Sequence, residues 1–175
     1  MSGFNANEFR SQLKFAGARP NLFEIALTIP DSVEAERQVK FMCEAASSPA
    51  YTVGFTSTHY FGREIKHFGD RSWGGAWSIQ VINDEDMPIR RALEAWQDRG
   101  SRADWGDKNV EDAKGLQLYT DATIIAYGKG GDALRSIKMF NVFPVLVSPL
   151  EYSWSANNQI QKFSVDFEYD YCLEV

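Results

Sequence analysis

Hydrophobic and polar residues alternate with a period of two along several stretches of this chain. That period predicts strands that lay one face on a core. Over Leu22–Ile29, the residues Phe23, Ile25, Leu27 and Ile29 fall on one face and Glu24, Ala26 and Thr28 on the other. Trp77, Ile79 and Val81 alternate with Ser78 and Gln80 in the same way. The pattern is sharpest near the C-terminus, where Phe163, Val165, Phe167, Tyr169 and Tyr171 oppose Ser164, Asp166, Glu168 and Asp170. A slip of one residue there would bury a row of carboxylates, so the register is strongly specified. Further strands are expected over Val39–Glu44, Leu116–Tyr127 and Leu134–Val142. The last two are joined across Gly128–Asp132, whose glycines supply the positive φ values that hairpin loops need.

The stretch Tyr51–Phe68 is different. It mixes Tyr, Val, Phe, Thr and Ile with polar residues, contains Gly54 and Gly62, and has few large aliphatics. That composition predicts a long protruding hairpin whose two faces do not both belong to the subunit's own core. Such a hairpin is marginal alone in water and needs something to lean on. One packed helix is predicted where Ile89, Leu93 and Trp96 recur at i, i+4 and i+7. Asp84, Glu85 and Asp86 precede it, Pro88 falls in its first turn, and Arg99 and Gly100 mark its expected end. A flexible segment over residues 1–15 and a solvated loop over residues 101–114 complete the reading. The fold class expected is mainly β: a sandwich or barrel of antiparallel strands with one packed α-helix and a protruding hairpin, residues 1–175 forming a single domain.

Composition narrows the function. With 175 residues and 44% hydrophobic residues, a sizeable core is available. No apolar run approaches the length of about 20 residues that crosses a bilayer, and MSGFNANEFR does not read as a secretory leader. Membrane insertion is therefore not expected. The formal net charge is −6, and residues 149–175 hold Lys162 as their one basic residue against Glu151, Asp166, Glu168, Asp170 and Glu174. Lasting nucleic-acid binding depends on neutralising phosphates, and no basic cluster supports it. Cys43 and Cys172 lack the spacing of a metal set and read as small, partly buried hydrophobes.

Several constellations resemble chemistry without reaching it. Asp166, Glu168 and Asp170 share one face of a strand, and alternate carboxylates could approach the separation a retaining glycosidase uses. A solvent-facing strand needs polar residues at the same positions, and no sugar platform accompanies them. His59 and His67 fall on opposite arms of the expected hairpin, with no third ligand at a defined spacing. Gly128–Asp132 lacks the Ser or Thr of a phosphate loop, and no GxSxG elbow is present. No catalytic, cofactor-binding or metal-ligating residue is assigned.

Four ordered stretches resemble the tail tube protein of contractile-tailed bacteriophages. They are Ala18-Arg19-Pro20-Asn21-Leu22-Phe23 opening the first strand; Val53-Gly54-Phe55 and Gly69-Asp70-Arg71 within the hairpin; Val81-Ile82-Asn83-Asp84-Glu85 leading into the helix with Arg91 and Trp96; and Trp154 with Asn157-Asn158-Gln159-Ile160-Gln161 and Phe163 before the last strand. Residues 101–114 and Asp31–Arg37 match no part of the pattern.

The resemblance implies a non-enzymatic structural subunit without cofactor. Its copies would form hexameric rings that stack into a hollow tube, wrapped by the tail sheath protein and filled during assembly by the tape measure protein. The tube would start on baseplate tube proteins and conduct DNA at ejection without binding it. The expected location is the virion, with the host cytoplasm during assembly. By the same analogy Arg19, Asn21, Tyr51, Val53, Phe55, Asp70 and Arg71 are the expected inter-subunit contacts. Baseplate tube initiators and secretion-system tube proteins share the expected fold and are the nearest alternatives, although 175 residues leave little room for a cap domain. The alternative from another class is a carbohydrate-active jelly roll using Asp166, Glu168 and Asp170.

Overall fold

The alternating stretches do fold as strands, and their apolar faces meet in one core. The computed structural model of the chain describes residues 5–14, 17–30, 32–101 and 118–175. In chain order its elements are α1 (Ala6–Gln12), β1 (Phe23–Leu27), α2 (Val33–Met42), β2 (Cys43–Ala46), β3 (Thr52–Tyr60), β4 (Arg63–Ser72), β5 (Trp77–Ile82), α3 (Pro88–Ser101), β6 (Thr120–Tyr127), β7 (Ala133–Val147), β8 (Lys162–Glu168) and β9 (Tyr171–Glu174). Seven strands form one antiparallel sheet in the order β1-β6-β7-β8-β5-β2, with β9 also pairing β7. Among the described residues, strands β3 and β4 pair only with each other.

The 15-residue strand β7 organises the main sheet. Its first half lies between β6 and β9, with Ile137 opposite both Ile124 and Glu174. Its second half pairs with β8, from Phe143 opposite Glu168 to Val147 opposite Val165. Between the halves Asn141 takes a positive φ of 56°, a conformation Asn tolerates better than most residues. Its side-chain amide donates to the Asp170 carboxylate, where the chain turns from β8 into β9. The sheet therefore bends on itself and becomes sandwich-like.

The core lies inside that bend. Ile25, Leu27, Ala122, Met139 and Val142 come from one half, and Trp77, Ile79, Val81, Phe163, Val165 and Phe167 from the other. Trp77 and Trp96 both approach Phe167, with ring centroids 5.3 Å and 6.4 Å away. Each large side chain so buried contributes about 1.5–3 kcal/mol. α3 closes the core with Ile89, Leu93 and Trp96, the periodic stripe read from sequence. Its Trp96 indole donates to the Leu118 carbonyl at 2.8 Å.

Four readings are corrected. Most of Val39–Glu44 is not strand: α2 occupies Val33–Met42 and only Cys43–Ala46 is extended. Ala35 and Val39 are buried at i, i+4 spacing, and a second helix therefore packs on the core beside α3. β7 runs beyond Val142 because Pro144 falls where its register with β8 shifts, a position at which a missing N–H is tolerated. The C-terminal alternation is divided: Tyr169 is still buried, but Tyr171 belongs to β9 and is half exposed. α3 continues through Gly100 to Ser101. Within the N-terminal segment, Ala6–Gln12 is a helix with no buried residue, capped by the Asn5 side chain. The rest of the expected loop, residues 102–114, lies outside the described residues.

Candidate assembly surface

The hairpin expected over Tyr51–Phe68 is present and slightly longer, Thr52–Tyr60 paired with Arg63–Ser72. Cross-strand partners share a face. One face carries Val53, Phe55, Ser57 and His59 opposite Arg71, Phe68, Lys66 and Glu64; the other carries Thr52, Thr56, Thr58 and Tyr60 opposite Ser72, His67, Ile65 and Arg63. Both faces are solvent-exposed, and the Phe55 and Phe68 rings stand 66% and 96% accessible. The Lys66 ammonium lies 4.9 Å from the Phe55 ring centroid, a contact of modest strength in water. The sequence reading holds here: this ribbon's apolar residues are not in the core of the subunit that carries them. His59 and His67 sit on opposite faces and opposite arms.

A β-bulge near the root gives β4 one extra residue, so that Val53 pairs Arg71 and Phe55 pairs Phe68. Gly69 sits in it because nothing larger fits. A Cβ there would stand 2.9 Å from the Gly54 carbonyl carbon and 3.1 Å from the Phe55 nitrogen.

The root is tied to the main sheet on both sides. The Tyr169 hydroxyl donates to the Ala50 carbonyl at 3.2 Å, and burial pushes that phenol above its ordinary range. On the other side the Arg71 guanidinium lies 4.4 Å from the Tyr51 ring centroid and 5.8 Å from that of Trp73. Trp73 then meets Tyr171 edge-on, and Tyr171 stacks on Phe140 at 4.6 Å. Burial also raises the Cys172 thiol beside this cluster.

Of the expected contact residues, Tyr51, Val53, Phe55, Asp70 and Arg71 are thus brought together along the lower hairpin. Arg19 and Asn21 belong to a separate exposed turn, in which the Leu22 N–H donates to the Arg19 carbonyl at 3.3 Å. Two other stretches quoted from the sequence do meet: the Asn83 N–H donates to the Gln161 carbonyl at 2.9 Å, and the Asn83 amide to the Gln161 side chain at 2.8 Å. The three carboxylates do not form one cluster. Asp166 accepts from the Ser78 hydroxyl, Asp170 accepts from Asn141, and Glu168 is exposed.

Sequence reasoning missed the tip. Phe61 and Gly62 have φ values of 47° and 75°, which makes a tight type I′ turn. Asn or Gly is favoured at the first of these positions, and a left-handed L-residue costs roughly 1–2 kcal/mol. Phe61 bears that cost with its ring 89% exposed and edge-on to Tyr60. The Phe61-Gly62 pair was the available signal, since glycine marks the turn and aromatic residues are not turn formers.

The family model for the phage tail tube protein matches residues 4–174. No curated protein matches the chain in sequence. Among solved structures, a chain from the sheath–tube complex of an extracellular contractile injection system in its extended state is similar at TM-score 0.57 and 13% identity, covering 99% of both chains. A chain from the tube-terminating cap of the anti-feeding prophage is similar at 0.59 and 18%, covering 90% of each. A type six secretion system protein is similar at 0.50 and 11%, over 87% of this chain and 81% of the other. At these identities the likeness establishes the fold.

Proposed function

We propose that this chain, which belongs to the phage tail tube protein family, closes into six-membered rings that stack into a hollow tube. Membership makes it a structural subunit of a tail tube; copy number, partners and contacts are the finer reading. The observation that carries it is the β3–β4 hairpin, a two-stranded ribbon with both faces exposed. Two strands with unburied aromatics are marginal in water, and their open edges invite pairing. Contact with further copies of the same chain removes both problems.

In this reading Tyr51, Val53, Phe55 and Asp70 on the hairpin contribute to contacts between copies, with Arg19 and Asn21 joining from the turn before β1. Arg71 acts by fixing the angle at which the hairpin leaves the sheet, because its guanidinium is engaged by two rings of its own chain. The partners are the tail sheath protein outside, the tape measure protein inside during assembly, and baseplate tube proteins at the starting end. DNA passes through without specific binding, consistent with the net charge of −6. The subunit is assembled in the host cytoplasm and ends in the virion. It carries out no catalysis; glycan hydrolysis that depends on Glu168 would contradict this, and Glu168→Gln measures it.

Negative-stain electron microscopy across a concentration series, with and without baseplate tube proteins as a template, tests the proposal. Six-fold rings and hollow tubes are expected. Particles that remain single subunits under both conditions would overturn it.

A further inference from the structure

We infer that Phe61 is a knob that seats on the exposed face of α2 in a second copy of this chain, between Val33 and Phe41. This rests on the ring-and-tube reading above and gives the hairpin tip a specific socket. Phe61 is held left-handed at a turn position where smaller residues are favoured, and its ring is 89% exposed. Such a conformation persists where the side chain is used. Among the described residues the ring meets Tyr60 edge-on and remains in solvent, with no intramolecular socket.

The face of α2 has the complementary character. Val33 and Phe41 are 73% and 78% exposed, and with Glu34, Arg37, Gln38 and Met42 they line a shallow groove. Its charges mirror those of the tip. Arg63 and Glu64 follow Phe61 and Gly62, while Glu34 follows Val33 and Arg37 lies one turn further on. None of these four has an ion-pair partner among the described residues. Glu34 can receive Arg63, and Arg37 can receive Glu64. Knob and socket are different patches of one surface, so the contact can run head-to-tail and propagate from copy to copy.

The experiment measures the protein concentration at which the full-length chain assembles, by light scattering and electron microscopy. Phe61→Asn should raise that concentration about ten- to a hundredfold, the loss expected on exposing one buried aromatic ring. The isolated variant should melt no lower than the wild type, because Asn suits the turn better than Phe. Glu34→Arg and Arg63→Glu should each weaken assembly, and the double variant should recover it. Any other pattern overturns the socket, including Phe61→Asn assembling at the wild-type concentration or a double variant no better than its parents. If Phe41→Asp leaves tubes intact and alters only their sheathing, the groove belongs to the sheath and the inference is again overturned. A wild-type chain that never assembles defeats the ring-and-tube reading itself, whereas assembling wild type with indifferent Phe61→Asn defeats only the socket.

Discussion

Adding one methyl group to the hairpin bulge should separate the hairpin's stability from that of the core. In Gly69→Ala the new Cβ would stand 2.9 Å from the Gly54 carbonyl carbon and 3.1 Å from both the Gly54 oxygen and the Phe55 nitrogen. All three atoms are backbone of the facing strand, so no side chain can rotate away and the strands must part. Overpacking of this kind costs about 1–3 kcal/mol, which multiplies the opening constant of the ribbon by about fivefold to over a hundredfold. Gly54→Ala is the internal control. Its Cβ would meet the Asp70 oxygen at 3.5 Å, an ordinary contact, and replacing glycine in extended backbone stabilises by about 0.4–1 kcal/mol. The assay is amide hydrogen exchange over residues 52–72, followed beside thermal melting. Exchange should accelerate in Gly69→Ala and slow slightly in Gly54→Ala. The main melting transition should hold its temperature in both, because β3 and β4 pair with no strand of the seven-stranded sheet. Equal exchange in the two variants would refute the packing argument. A fall in the main transition of Gly69→Ala would refute the independence of the hairpin.

Phe167→Ala removes a fully buried ring in contact with Trp77 and Trp96 and should cost about 3–5 kcal/mol in urea unfolding. Arg71→Ala should cost only about 1 kcal/mol while changing the tryptophan fluorescence through Trp73, with faster exchange at the hairpin root. Burial pushes the Cys43 thiol up to about 11 from 9.0, so it should alkylate slowly at pH 8 in the native state and rapidly in urea. Because the native state keeps its proton while the unfolded chain loses it, this group's contribution to stability should fall as pH rises from 9 towards 11, measurable against Cys43→Ala.

What could be read in advance followed from which interactions are local. β1, β5 and β8 show their period because one face is core and the other solvent, and α3 shows its stripe for the same reason. α2 was misread because its buried contribution is small: Ala35 hardly registers as hydrophobic, while Val39, Phe41 and Met42 together imitate a strand. Phe41 in fact faces solvent. The bend of β7 at Asn141 depends on the β8–β9 turn beside it, a tertiary contact that no window of sequence contains. The hairpin was legible from what it lacks, since a ribbon short of large aliphatics has no core of its own to serve. Its tip was marked in sequence only by the Phe61-Gly62 pair, and the left-handed backbone of Phe61 shows only once its φ is known. The engagement of Arg71 by Tyr51 and Trp73 likewise needs the fold to bring the two ends of the hairpin together.

Strand β7 has a mechanical consequence. It is one unbroken run of 15 residues that belongs to both halves of the sandwich. Tension applied along it reaches β6 and β9 at one end and β8 at the other through the same covalent backbone. The hydrogen bonds on either side are then strained in shear, many at once, instead of peeling one by one. A subunit wired in this way should yield late and abruptly under force along β7, and its resistance should depend on the direction of pull far more than its melting temperature would suggest.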